Sequence, residues 1–158
     1  WVALGALRSR HSGDHFSRDW NFFFNGTAPY TAYLVEHFPS KIIYIDAGHD
    51  VLTGRSLKQT PPGNIVRTAY RDWLWNVFEK TLDEQRPSWD LAAVYYAVKG
   101  TGRFLEDTGA GWLEFDPEQG SRWHADSSKT RQRYIIQRPT IQSEFAGYLN
   151  TMIALPPN

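Results

Sequence analysis

The chain has 158 residues, no cysteine, and 17 Lys and Arg against 17 Asp and Glu. That length builds one globular core, so a single domain over 1–158 is expected; the balanced charge gives no field that would draw nucleic acid or an anionic membrane. The missing cysteine excludes a disulfide framework, thiolate catalysis and cysteine zinc sites, and no apolar run reaches the roughly 18 residues of a membrane span. The amino terminus lacks the charged-then-apolar layout of a signal peptide, and the compartment stays open. A small molecule or a protein is the expected partner.

In chain order, residues 1–7 (Trp-Val-Ala-Leu-Gly-Ala-Leu) read as a buried strand. Residues 8–27 are polar and glycine-punctuated, a loop that delivers Arg18-Asp19-Trp20-Asn21-Phe22-Phe23-Phe24. Within it Asn25-Gly26-Thr27 fits the glycosylation acceptor pattern, which recurs freely by accident. Pro29 at an early helical position, with Tyr30, Tyr33, Leu34 and Phe38 at helical spacing, predicts a helix over 29–38. Lys41–Asp46 is apolar on both faces and predicts a strand interior to a sheet.

Asn64 can cap a helix whose stripe is Ile65, Val66, Ala69, Tyr70, Trp73, Leu74, Val77 and Phe78, with Arg67, Arg71, Asp72, Asn76 and Glu79 largely opposite. Residues 89–98 predict a helix that is apolar nearly all round, hence packed on several sides. Residues 100–111 read as loop. Trp112–Phe115 and Arg122–His124 read as a hairpin around Asp116–Gly120, residues 133–137 as a strand, and 139–155 as an amphipathic helix. Helices alternating with buried strands make the class α/β, and no internal repeat is present.

Four residues stand out chemically. Asp90 falls in the first turn of its helix, where the helix dipole stabilises a carboxylate and Ser88 can cap. Trp89 beside it adds a flat ring at the same helix mouth. An acid next to an aromatic platform suits a hard cation or a sugar hydroxyl together with a planar group. Asp19 and Asn21 alternate and, if extended, point to one side, where they could hydrogen-bond vicinal hydroxyls; the alternative is an Asx turn ahead of a helix.

Asp46-Ala47-Gly48-His49-Asp50, after a strand, reads either as a short metal loop or as a strand-to-loop turn with solvated acids. His11, His15, His37 and His124 lack partners at metal-ligand spacing, and Lys129–Arg133 reads as a solvated basic loop. No nucleophile elbow or phosphate-binding glycine loop occurs.

In this order the segments "RDWNFFFNGTAPYTAYLVEHFP", "DAGHDVLTGRSL", "NIVRTAYRDW" and above all "RPSWDLAAVYYAV" resemble the inosine/uridine-preferring nucleoside hydrolase family. The resemblance covers most of the chain and implies a nucleoside-hydrolase-like fold, a Rossmann-like mixed sheet with flanking helices, represented by its carboxyl-terminal half. It implies hydrolysis of the N-glycosidic bond of a ribonucleoside, purine-preferring by the Trp89-Asp90 pair. In that reading Asp90 is a Ca2+ ligand, Trp89 stacks on the base, and Asp19 and Asn21 bind ribose hydroxyls.

The family's amino-terminal aspartate-rich motif, which supplies most of its calcium site and the general base, has no counterpart here, so the catalytic base is expected outside this chain. Asp19 is also one methylene shorter than the family's Glu, about 1.5 Å of reach. Three readings follow: one half of a hydrolase whose amino half is a second polypeptide or is lost from this sequence, or which is completed by a homo-oligomer; a non-catalytic domain that uses its aromatic surface as an interface in a larger complex; or a resemblance by fold only, with a sugar- or nucleoside-binding module that does no chemistry.

Overall fold

The computed structural model describes residues 1–156. Its elements in chain order are β1 (Val2–Leu4), α1 (Trp20–Phe23), α2 (Ala28–His37), β2 (Ile42–Asp46), β3 (Leu52–Thr53), α3 (Ile65–Phe78), β4 (Arg86–Pro87), α4 (Trp89–Lys99), β5 (Leu105–Asp116), β6 (Gly120–Ala125), β7 (Gln132–Gln137) and α5 (Gln142–Ala154), with 3-10 turns at Ser9–His11 and Arg55–Gln59. The fold is mixed α/β. The chain divides into two compact units, Trp1–Ala47 with Ala92–Arg138, and Gly48–Leu91 with Pro139–Asn158.

The first unit is built on a five-stranded sheet of order β1-β2-β7-β5-β6. β1, β2 and β7 run parallel, while β5 pairs antiparallel with both β7 and β6. β2 is interior, as its two apolar faces predict: Ile42, Tyr44 and Ile45 are fully buried. They join Ala3, Phe22, Val35, Leu113, Trp123 and Tyr134 in one core. Gly5 lets the chain leave β1 against that core, since a methyl there would lie 2.1 Å from the Phe22 ring.

β1 is shorter than the strand expected over 1–7. Ala6 and Arg8 take left-handed backbone angles, φ 56° and 64°, which end the extended run. The expected loop over 100–111 is a correction of the same kind. β5 already begins at Leu105, and a register shift between Asp107 and Ala110, with Gly109 at φ 106°, carries it through the glycines. The β5–β6 hairpin pairs Trp112 with His124, and Asp116 Oδ1 accepts from the Glu118 and Gln119 amides at 2.8 Å to close it.

The second unit holds the β3–β4 ladder, α3, the 3-10 turn at 55–59 and α5 around Leu57, Leu74 and Leu82, with Tyr70 and Ile153 against them. Asn64 caps α3 as the sequence predicts, its Oδ1 accepting from the Arg67 amide at 2.9 Å. The apolar stripe of α3 is nevertheless open: only Leu74 is buried, and Ile65 is 68% exposed. α4 is likewise not packed on several sides. Ala92 and Tyr95 face inward, whereas Val94 and Val98 are 59% and 70% exposed. Among the described residues no helix is long and apolar enough to cross a membrane.

Candidate functional site

Asp19 and Asn21 belong to the first unit, Trp89 and Asp90 to the second. The segment carrying Asp19 is not extended; it opens a helix, and the capping alternative is what the structure has. Asp19 is the N-cap of α1, its Oδ1 accepting from the Phe22 amide at 2.9 Å and its Oδ2 from the Ala6 amide at 2.9 Å. It is 6% exposed. Burial raises its carboxyl above the ordinary 3.8, against the pull of those amides, and the Asp46 charge adds to the rise. Asn21 is the second residue of α1, exposed, with Nδ2 donating to the Leu4 carbonyl at 3.0 Å.

Asp46 closes β2 and serves the same loop. Its Oδ2 accepts from the Arg8 amide at 2.8 Å and lies 2.9 Å from Tyr134 Oη, which is also 2.6 Å from the Ala6 carbonyl. Asp19 and Asp46 therefore both pin the turn after β1, where Ala6 and Arg8 have positive φ.

In the second unit, the loop that follows β2 meets the mouth of α4. The Ser88 amide donates to the Gly48 carbonyl at 2.8 Å, and the His49 ring stands 5.9 Å from Trp89. Only glycine permits this approach: Gly48 has φ 89°, and a Cβ on it would lie 2.5 Å from the Ser88 carbonyl oxygen. Ser88 Oγ bonds Thr53 Oγ1 of β3 at 2.7 Å.

Trp89 and Asp90 diverge from that mouth. Trp89 is half-buried beside His49, whereas exposed Asp90 lines a cavity of about 260 Å³ whose lining includes Tyr70, Trp73 and Arg86 but not Trp89. Successive helical residues are about 100° apart, which is why an acid and a ring next to each other in sequence serve different surroundings. The Arg86 guanidinium is packed 4.5 Å from the centre of the Phe78 ring and 5.3 Å from that of Trp73. Burial pushes the Tyr70 hydroxyl up to about 12.

Sequence reasoning did not single out Arg86, although it stands in the stretch that carries the resemblance. Its only local signal was a cation next to a proline. The rings that hold it come from 8 and 13 residues upstream (86 − 78 and 86 − 73).

Calcium takes six to eight oxygens. Asp90 offers one carboxylate, and among the described residues no group of three or more His, Cys, Asp or Glu could hold a metal ion. The donors of this chain do not fit the ion by themselves, and no chemical step is assigned to it. No protein-family model, curated protein or solved structure matches the chain.

Proposed function

We propose that this chain corresponds to the carboxyl-terminal half of a nucleoside-hydrolase-like fold and contributes the base-binding side of an N-ribosyl hydrolase site, with the general base supplied from outside these 158 residues. The observation that carries the reading is the glycine-dependent contact of Gly48 with Ser88, which holds His49 against Trp89 at the head of α4. In this reading the departing purine stacks on Trp89, and exposed His49 lends a proton to its ring nitrogen, which makes the base a better leaving group. Asp90 supplies one oxygen toward a metal whose remaining ligands lie outside the described residues. Asp19 acts as a positioning residue, because both its oxygens hold backbone amides.

A specific observation favours a second reading, a non-catalytic interaction domain: Trp20, Tyr30 and Tyr33, on α1 and α2, are 67%, 74% and 63% exposed. Aromatic side chains of that kind anchor protein interfaces.

The deciding experiment measures inosine hydrolysis by the purified chain with and without the proteins that copurify with it, across a calcium titration. Turnover in the copurified sample, lost in Asp90→Ala and on chelation, supports the hydrolase. Absence of turnover and of calcium binding in both samples sinks it in favour of the interaction domain.

A further inference from the structure

The cavity beside Asp90 lies wholly within the second unit, and its wall is chemically unbalanced. Leu57, Val66, Leu91 and Ile153 make it largely apolar. Its hydroxyls are already engaged: Tyr70 donates to the Thr53 carbonyl at 3.2 Å, and the Thr53 and Ser88 hydroxyls bond each other. Its two charged groups are not. Arg86 Nε is the one buried side-chain polar atom among the described residues with no hydrogen-bond partner. The guanidinium is held in place by ring faces alone, which fix its plane without using its donors. On the same wall, Asp90 presents an exposed carboxylate.

A cavity of about 260 Å³ is just below the ~300 Å³ at which drug-sized sites begin, so its occupant is small. One cation, one anion and an apolar remainder are complemented by one anion, one cation and an apolar body. A guanidinium fork matches a planar carboxylate. A phosphate dianion would set two charges against a single Arg with Asp90 nearby. A planar heterocycle has no free platform here, because Trp73 is already engaged by Arg86 and by Phe78, whose ring centre is 5.1 Å away.

We propose that this cavity binds a small zwitterion of the α-amino-acid type with a branched apolar side chain. Its carboxylate pairs with Arg86, its ammonium faces Asp90, and its side chain lies among Leu57, Val66, Leu91 and Ile153.

The test is isothermal titration of the full chain in calcium-free buffer, which keeps it separate from the nucleoside reading, with three probes of one skeleton: leucine, 4-methylpentanoate, which lacks the amine, and isopentylamine, which lacks the carboxylate. Leucine is expected to bind saturably and at least about tenfold more tightly than either analogue. Arg86→Gln weakens leucine and 4-methylpentanoate alike, by about tenfold or more, while Asp90→Asn weakens leucine and leaves 4-methylpentanoate unchanged. Should Arg86→Gln fail to fold, Arg86→Lys keeps a cation over the rings without Nε, and it too must weaken leucine. No saturable binding of leucine at millimolar concentration, equal binding of isopentylamine, or leucine affinity indifferent to Asp90→Asn would each overturn the proposal.

Discussion

Gly48 and Ser88 are in direct backbone contact, the amide of one on the carbonyl of the other at 2.8 Å, at a φ of 89° that side-chain-bearing residues rarely adopt. Gly48→Ala must open this contact or strain it. A loss of roughly 1–3 kcal/mol in unfolding free energy is expected from urea titration. Gly63→Ala, at an exposed glycine where a Cβ would meet nothing within 4 Å, serves as the control and is expected to be near neutral.

Asp19 ties the start of α1 to the turn after β1 through two amides 16 residues apart in sequence, Ala6 and Phe22 (22 − 6). Asp19→Ala leaves both buried donors without an acceptor and is expected to cost about 1–3 kcal/mol of stability. Asp19→Asn can accept only one of them and is expected to fall between the two. Equal stability of all three proteins would refute the pinning role.

The pH dependence of stability separates two acids of opposite sign. Burial raises Asp19 above 3.8, so its contribution is fully present below 3.8 and is lost as the pH climbs through the raised folded value. Glu114 is held below the ordinary 4.5 by hydrogen bonds from Arg122, 2.8 Å away, and His124, 2.7 Å away; its contribution is present above 4.5 and is lost as the pH drops through the lowered folded value. Thermal midpoints across the acid range are expected to vary less with pH in Asp19→Asn on the upper side of 3.8, and less in Glu114→Gln on the lower side of 4.5.

If Trp89 is the base platform, Trp89→Ala weakens purine nucleosides by about 1–3 kcal/mol and pyrimidine nucleosides by less, since stacking grows with ring area. Competition binding of inosine and uridine reads the difference, and equal losses would argue that the ring serves packing against His49 instead.

Periodicity and end signals made the α/β class, β2, the Asn64 cap and the β5–β6 hairpin legible in the sequence, because each is decided within a few residues. The open faces of α3 and α4 were not. Ile65, Val94 and Val98 have the same composition whether covered or bare, and covering depends on what lies beyond the helix. Of the candidate site, the Trp89-Asp90 pair was visible as a motif, but the divergence of its two side chains and the ring clamp on Arg86 depend on contacts between residues far apart in sequence. The burial of Asp19 was hidden for the same reason: its second amide comes from the other side of a polar loop.

The position of β7 bears on how this protein is made. Among the strands of this sheet it comes last in chain order, yet it occupies the middle, between β2 and β5. Until Gln132–Gln137 are synthesised, the inner edges of β2 and of the β5–β6 hairpin have only each other or a neighbouring chain to bond, and the ladder cannot be completed from the amino terminus onward. Nascent chains halted before residue 132 are therefore open to strand-mediated aggregation at this sheet, and a chaperone that shields those edges need act only until β7 arrives.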